Sequence, residues 1–286
     1  MRVARQRPLL AAAVAIVTLI SGGAAAGAAE PAPVVVFCAP GNPGTTEEAQ
    51  PTMDAFATAV STKAGLAVAA TYAPSEDAGV ARLKDPDAAV AIVSLPFLLK
   101  HEQALGLRAE LQAIPEGAGG SEQWSLVARK GRIAGPAALE GFTILSTAGY
   151  APAFVRGPAL GGWGRLPASV RITQSAAVLS GLRRAVAGEN VAVLLDVAQT
   201  AALATLPFAG ELEIVARSPT LPAGAVAMVG KRVPAARWTK LATALRELPT
   251  DPAGAAALAG VRMTRFAPLD APALSAARTA YREAAR

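Results

Sequence analysis

The stretch Val34-Val-Val-Phe-Cys38, followed by Ala39-Pro-Gly-Asn-Pro-Gly44, decides the fold of this chain. Its first five residues are an unbroken apolar, β-rich run, which is typical of a strand buried on both faces. The proline and glycine residues that follow end the strand in a tight turn. Beyond the turn, apolar residues recur at helical spacing between residues 53 and 64. A buried strand that leads through a short turn into a helix is the basic unit of an α/β protein.

Two signals compete for the start of this first helix. Thr45 and Glu48 have the spacing of a capping box, in which each side chain accepts a hydrogen bond from the backbone N–H of the other residue. Pro51 also suits the first turn of a helix, because it lacks an N–H that would need a partner there. We expect the helix to begin at Pro51.

The alternation of strands and helices continues along the rest of the chain. β-rich runs predict further strands at residues 67–72, 88–93, 107–114, 124–130, 143–145, 170–173, 191–195, 212–216 and 226–229. Helical spacing and caps predict helices at residues 76–83, 97–105, 176–187, 197–206, 234–248, 252–259 and 272–285, and a helix that opens at residues 146–150. The pattern therefore predicts an α/β fold with mainly parallel sheets.

Composition excludes several classes of protein. The chain has 286 residues, of which 52% are hydrophobic and 17% charged, a balance that a disordered chain does not have. Its net charge is +6, but no run of five or more Lys and Arg occurs, so we expect no nucleic-acid partner. One Cys and one His exclude a zinc cluster of Cys and His ligands and an intramolecular disulfide. We expect neither a cofactor nor a metal.

The N-terminus carries the signature of an export signal. Three arginines at positions 2, 5 and 7 precede an apolar run at residues 9–20, and small residues fill positions 21–29. The apolar run is shorter than the ~20 residues that span a bilayer. We expect cleavage after Ala26, Ala28 or Ala29, which removes residues 1–29 and leaves the mature protein in the periplasm.

Four motifs of the mature chain form a familiar series. They are Tyr72-Ala-Pro-Ser75 before a helix, Asp87-Ala-Ala-Val-Ala-Ile-Val-Ser94, Gly135-Pro-Ala-Ala-Leu-Glu-Gly-Phe-Thr-Ile-Leu-Ser146 and Ala187-Gly-Glu-Asn-Val-Ala-Val-Leu-Leu-Asp196. In this order and spacing, the chain resembles the solute-binding proteins of ABC transporters that have the type 2 periplasmic-binding fold. The resemblance is nearest to their phosphate- and phosphonate-binding branch.

The resemblance implies a two-lobed molecule without enzymatic activity. Residues 30–126 and 226–286 would form the first lobe and residues 127–225 the second, each with a mainly parallel central sheet flanked by helices. Two strands, at residues 124–130 and 221–229, would cross between the lobes. A small ligand would bind between the lobes, and the partner would be an ABC permease of the inner membrane. The receptor itself would be a monomer.

Parallel sheets bind ligands beyond the carboxyl ends of their strands, so the candidate site residues are those that follow strands. In the first lobe they are Pro40, Asn42, Thr45, Tyr72 and Ser94. In the second lobe and its entry they are Trp124, Ser146, Thr147, Gly149, Tyr150, Gln174 and Asp196. The resemblance makes residues 146–149 a phosphonate clamp and matches Asp196 to a carboxylate that faces a ligand amine. The ordinary alternative is that these residues are helix caps and turns.

The ligand class and the function each keep alternatives. A phosphonate, a phosphate-like ligand or another small oxyanion fits the resemblance, whereas the scarcity of Lys and Arg near the candidate residues favours a neutral or hydrophobic ligand. A sensor or a partner of an efflux system is a second function for the same fold. A hydrolase with Cys38 as nucleophile and His101 as base is a third. A Ser–His–Asp site would need the same histidine, and the chain has no Gly-x-Ser-x-Gly turn.

Overall fold

Val34–Cys38 forms strand β1, which lies between two parallel partners and is buried along its whole length. The computed structural model describes residues 32–286, so the predicted signal peptide at residues 1–29 lies outside the described part. In that part, eleven strands form two sheets. The strands are β1 Val34–Cys38, β2 Ala69–Ala73, β3 Ala88–Ser94, β4 Leu107–Pro115, β5 Ser125–Arg129, β6 Thr143–Ser146, β7 Arg171–Gln174, β8 Val191–Leu195, β9 Leu212–Arg217, β10 Gly224–Val229 and β11 Met263–Pro268.

Helices cover both sheets. They are α1 Thr46–Ala64, α2 Glu76–Lys84, α3 Leu95–His101, α4 Pro152–Phe154, α5 Val178–Val186, α6 Val197–Ala202, α7 Ala235–Glu247, α8 Pro252–Gly260 and α9 Ala271–Ala284. A π-helical turn, Val155–Ala159, continues α4. Short 3₁₀ turns occupy Pro136–Leu139, Leu203–Thr205, Ala209–Glu211 and Leu248–Thr250. None of the helices within residues 32–286 is long and apolar enough to cross a membrane.

Both sheets are mixed, with most strands pointing the same way. The first sheet has the order β11-β4-β10-β3-β1-β2, and β10 and β11 run against the other four strands. The second sheet has the order β7-β6-β8-β5-β9, and only β5 runs against its neighbours. We call the part of the chain around each sheet a lobe. The predicted α/β class is confirmed, and each sheet has one antiparallel strand between two neighbours, β10 in the first and β5 in the second.

The chain passes between the sheets twice, through residues 116–124 and 218–223. The two connections run side by side: Glu122 N–H donates to Leu221 O at 2.7 Å, and Leu221 N–H donates to Glu122 O at 2.8 Å. Ser218 adds a second link, because its Oγ accepts from the backbone N–H of Trp124 at 2.9 Å. The crossings therefore directly precede β5 and β10 instead of lying within these strands. The expected lobe limits at residues 126 and 226 stay a prediction.

The prediction for the start of the first helix is wrong. Helix α1 begins directly after Thr45, whose Oγ1 accepts from Glu48 N–H at 3.2 Å, while Glu48 Oε2 accepts from Thr45 N–H at 2.9 Å. This capping box satisfies two N–H groups at the helix end, and Pro51 lies inside the helix. The capping-box spacing was the stronger of the two signals.

The predicted helix at residues 146–150 is also absent from the described chain. Ser146 ends β6, residues 147–151 form turns, and helical structure begins only at Pro152. Strand β11 was missed because it is short and largely exposed and ends in a proline, a pattern that resembles a loop. It forms one edge of the first sheet, where a proline is tolerated.

One continuous apolar core joins the two lobes. It includes Phe97 of α3, Trp124 of the first crossing and Phe154 of α4, and Trp124 and Phe154 pack edge to face with ring centroids 5.3 Å apart. Helix α9 contributes Leu274 to this core. The last part of α9 also lies against the π-helical turn, where Gly157 admits the close approach. Two further cores lie on the outer faces, under α1 and α7 in the first lobe and under α5 in the second.

A close contact fixes α2 on β1. A Cβ atom added at Gly79 would lie 2.2 Å from Cys38 Sγ and 3.3 Å from the ring of Phe97. The thiol of Cys38 in turn donates to Ser75 O at 3.5 Å. Cys38 therefore packs as a small apolar side chain in a space that only a glycine on α2 leaves open.

We expect Gly79→Ala to destabilise the protein, because overpacking costs roughly 1–3 kcal/mol while the better helix propensity of Ala returns about 1 kcal/mol. In a Cys38→Ala background the same change should cost at least about 1 kcal/mol less, since the sulfur is gone. Urea unfolding of the four proteins measures this coupling. Gly210→Ala, where no atom lies within 4 Å of the new Cβ, is the matched control. Additive free energies of unfolding would contradict the contact.

Candidate ligand-binding site

A cavity of about 690 Å³ lies between the two sheets, at the ends of their strands. The first lobe contributes the loop after β1, Tyr72 of β2 and Ser94 of β3. The second lobe contributes Thr147, which follows β6, and Asp196, which follows β8. Both crossings also line the cavity, the first through Glu122 and Trp124 and the second through Ala223. Both lobes therefore shape one space, as the strand-end rule for α/β sheets predicts.

Eight of the predicted site residues line this cavity. They are Pro40, Asn42, Tyr72, Ser94, Trp124, Thr147, Tyr150 and Asp196. Tyr72 is held in place by a hydrogen bond from its hydroxyl to Asn42 O at 3.2 Å. The structure thus brings residues from five separate strand ends and from the first crossing to one place.

The other four predicted residues lie outside the cavity, and their prediction is revised. Thr45 is exposed and caps α1. Ser146 is completely buried, and its hydroxyl donates to Leu194 O at 2.9 Å. Gly149 packs on the backbone of β7, where an added Cβ would lie 2.3 Å from Thr173 O. Gln174 ends β7, the edge strand of the second sheet, and is exposed there.

Direct contacts join the two lobes across the cavity. A Cβ added at Gly41 would lie 2.9 Å from Thr147 Cβ, and Gly41 has a φ of +99°, a backbone conformation that glycine adopts without strain. The hydroxyls of Ser94 and Tyr150 are 3.2 Å apart, and Lys100 Nζ donates to Tyr150 O at 2.6 Å. Burial raises the pKa of the Tyr150 hydroxyl, so it stays a neutral hydrogen-bonding group. The lobes are therefore in contact along one side of the cavity.

Glu122 is a buried, charged cavity residue that was not among the predicted site residues. It lies in the first crossing and is 8% exposed, and its Oε1 accepts from Val197 N–H at 2.7 Å and from Gln123 N–H at 2.9 Å. The available signal was a carboxylate at the end of the glycine-rich stretch Gly119-Gly-Ser-Glu122, two residues before Trp124. Burial, and then the charge of Asp196, raise the pKa of Glu122 to about 7 against two hydrogen bonds that lower it.

Asp196 begins α6 with a capping box. Its Oδ1 accepts from Gln199 N–H at 2.7 Å, and Gln199 Oε1 accepts from Asp196 N–H at 3.2 Å. Burial raises the pKa of the Asp196 carboxyl. Because Glu122 accepts from Val197 N–H, two carboxylates of the protein already occupy the donors at this end of α6. Asp196 therefore both caps α6 and lines the cavity, as predicted.

The geometry opposes the hydrolase alternative. Burial raises the pKa of the Cys38 thiol to about 12, whereas a cysteine nucleophile needs a lowered pKa. His101 is not on a solvated face: its Nε2 lies 2.7 Å from Glu76 Oε1, and its ring packs on Phe97. The imidazole is therefore engaged by a carboxylate and packed in the lobe. Within residues 32–286, no group of three or more His, Cys, Asp and Glu side chains is arranged to hold a metal.

Solved structures share this architecture. XAC2383 from Xanthomonas citri, known with chloride ion and with ATP, is 17–18% identical to this chain, and the match covers 89% of this chain and 98% of that protein with a TM-score of 0.68. PhnD1 from Prochlorococcus marinus, in complex with methylphosphonate, is 11% identical and matches 88% of this chain and 97% of its own with a TM-score of 0.59. A binding protein component of an ABC phosphonate transporter from Pseudomonas aeruginosa is 14% identical, with 85% and 84% covered and a TM-score of 0.60.

These likenesses confirm the fold. The chain has the two-lobed α/β fold of the periplasmic solute-binding proteins, as its motifs predicted. The arrangement matches phosphonate-binding proteins over most of their length at low sequence identity. No protein-family model and no curated protein sequence matches the chain.

The raised pKa of Glu122 predicts a pH dependence of stability. The unfolded protein loses this proton near the ordinary value of 4.5, but the folded protein keeps it until about pH 7. The contribution of this group to the free energy of unfolding therefore falls by on the order of 2–3 kcal/mol as the pH rises through this window. Above the window the contribution is level. Glu122→Gln, which keeps the acceptor oxygen, should flatten the decline. Urea unfolding between pH 5 and pH 8 measures it, and parallel curves for the two proteins would contradict the shift.

Proposed function

We propose that this protein is a solute-binding receptor that captures one small molecule between its lobes and delivers it to a membrane permease. The observation that carries the proposal is the cavity, because both lobes supply its wall and neither lobe encloses it alone. A volume of about 690 Å³ is in the range of pockets that hold small organic ligands. The solved structures with the same fold include a binding component of an ABC transporter.

The contacts across the cavity support capture by closure of the lobes. Ser94 and Tyr150 meet at their hydroxyls, and Gly41 meets Thr147. A ligand that touches both walls would favour the closed arrangement by its differential affinity for it, and the paired crossings would act as the hinge. In this proposal the moving bodies are residues 30–126 with 226–286 and residues 127–225.

The partner and the location follow from the same proposal. The export signal expected at residues 1–29 directs the chain across the inner membrane, where the receptor works as a monomer in the periplasm beside an ABC permease. The name of the Pseudomonas aeruginosa protein supports a transporter partner. The permease binds the closed form of the receptor, so docking depends on the arrangement of the two lobes rather than on chemistry in the cavity.

Most of the backbone N–H groups that were expected to bind an oxyanion already donate to acceptors within the protein. The N–H groups of Ala148 and Gly149 bond to Ser146, and the capping box occupies the N-terminus of α1. The N-terminus of α5 keeps its donors, since no side chain caps it and Val178 lines the cavity. A phosphonate or phosphate-like ligand therefore depends on α5, whereas the aromatic and apolar wall serves a ligand with an apolar body.

Thr147→Trp tests the proposal, because a bulky side chain opposite Gly41 should hold the lobes apart. We expect wild-type protein, purified without refolding, dialysed and mixed with the small-molecule fraction of a cell extract, to retain one adduct in native mass spectrometry. Its melting temperature should rise, as binding at a hundredfold excess over Kd adds about 2.7 kcal/mol.

The Thr147→Trp protein should retain at least tenfold less of the adduct. Thr239→Trp, the same change on the exposed face of α7, is the matched control and should bind like wild type. Equal retention by the two tryptophan variants would place binding outside the space between the lobes. An absence of any adduct on wild-type protein would refute the receptor.

A further inference from the structure

Helix α6 consists mostly of apolar residues, yet none of its residues is buried. Its sequence is Val197-Ala-Gln-Thr-Ala-Ala202, and the segment that follows as far as Gly210 also has no charged residue. An apolar helix at a protein surface normally buries one face against the rest of the fold. In α6 the side chains of Ala198, Ala201 and Ala202 are exposed instead. The helix therefore presents apolar surface that the protein itself does not cover.

This surface of α6 belongs to the cavity wall. Val197, Ala198 and Ala202 line the cavity, and Val178 at the start of α5 lines it as well. Val178 and Leu203, the residue directly after α6, pack against the same apolar cluster of the second lobe. The two helices therefore contribute to one apolar wall on the side of the cavity that the second lobe provides.

A second observation beside this wall is an exposed leucine. Leu179 is 40% exposed, and within residues 32–286 it is the one large apolar side chain that is exposed. It directly follows Val178, which lines the cavity. Apolar surface that is exposed beside a groove marks a place where a ligand or a partner binds. The apolar wall therefore extends from the enclosed space to the solvent-facing edge of the second lobe.

The first lobe adds further apolar groups to the cavity. They are Met53 of α1, Ile92 of β3, Pro115 of β4, Val261 after α8 and Met263 of β11. Methionine side chains are flexible and adapt to apolar ligands of varied shape. A hydrocarbon chain in the cavity would therefore find apolar contacts on both lobes.

Charged side chains are few in the cavity, and their signs oppose an anion. Those that line it are Glu116, Glu122, Asp196 and Arg262, and none of the lysines in residues 32–286 lines it. Arg262 is exposed at the edge, where solvent screens its charge. A negatively charged group inside the cavity would therefore meet two carboxyl groups, those of Glu122 and Asp196, and no cation.

We propose that the cavity binds a single-chain amphiphile, a molecule with one unbranched hydrocarbon chain and a head without negative charge, whose chain lies along α6 and the start of α5. The inference rests on the proposed function, because it names the class of solute that the receptor captures. The chain covers the apolar surface of α6 when it binds, and this burial supplies most of the affinity. A chain longer than the enclosed space leaves it beside Leu179.

Alcohols that differ only in chain length test the chain, and a phosphonate tests the head. The probes are 1-hexanol, 1-octanol, 1-decanol and octylphosphonate, and calorimetry gives the Kd of each. We expect the Kd of the alcohols to fall about fourfold for each added methylene group, the fold-change that corresponds to about 0.8 kcal/mol. Octylphosphonate should bind at least tenfold more weakly than 1-octanol. A Kd that does not depend on chain length, or tighter binding of the phosphonate through α5, would overturn the inference and leave the receptor intact.

Variants assign the chain to this wall. Ala202→Glu and Val178→Asn each place a polar group at a residue that lines the cavity. Each should weaken the binding of 1-decanol at least tenfold and that of 1-hexanol less than threefold, because the shorter chain covers less of the wall. Ala201→Glu is the matched control, since Ala201 is exposed on the same helix and does not line the cavity, and it should alter either Kd less than twofold. Unchanged 1-decanol affinity in both cavity variants would leave this surface to a protein partner and overturn the inference.

The remaining outcome separates the two proposals. If no alcohol binds but a component of the small-molecule fraction of the cell extract does, the receptor stands and the amphiphile is refuted. If neither binds, both proposals fail. Far-ultraviolet circular dichroism and melting temperatures of all variants show that each protein is folded before its affinity is compared.

Discussion

The pair of backbone hydrogen bonds between Glu122 and Leu221 is the constraint on which the other features depend. It holds the two connections side by side, so the sheets share one boundary and their strand ends face a common space. Each connection then enters a sheet as an antiparallel strand, β5 in the second lobe and β10 in the first. Because only two short segments of the chain connect the sheets, the proposed rotation about them would change the distance between the walls and leave both sheets intact.

The first crossing links the two sheets and also places a carboxyl group, that of Glu122, in the cavity. Glu122 bonds across to Leu221 through its backbone and across to Val197 through its side chain, so it touches the crossing, the start of α6 and the cavity at once. The carboxylates of Glu122 and Asp196 take the place at the N-terminus of α6 that an anionic ligand would otherwise occupy. A fold shared with phosphonate-binding proteins can thus place carboxyl groups at this end of the cavity, because the residues that cap a helix, rather than sheet topology, decide which groups line it.

The features that followed from local rules were predictable from the sequence. The β-rich runs at β1, β3 and β8 predicted strands that lie inside their sheets, and the helix expected at residues 272–285 begins after Asp270, whose Oδ1 accepts from Ala273 N–H at 3.0 Å. The strand-end rule located most of the cavity wall as well. These predictions needed only neighbours within a few residues along the chain.

What failed depended on partners far away in sequence. Ser146 looked like a helix cap, but its hydroxyl bonds to Leu194, which lies 48 residues further on. Glu122 was not among the predicted site residues, and its side chain bonds to the backbone of Val197, which lies 75 residues further on. Strand β11 had no apolar run of its own and is defined by its pairing with β4. The positions of these residues depend on tertiary contacts, and a local sequence pattern does not contain those contacts.

Helix α9 has a consequence for how the molecule is assembled. It follows β11 of the first sheet, is tied to that lobe by Arg278 and Glu102 at 2.8 Å, and yet packs on Gly157 in the second. Helix α9 is therefore a third link between the lobes, made by packing and an ion pair, beside the two connections of the chain.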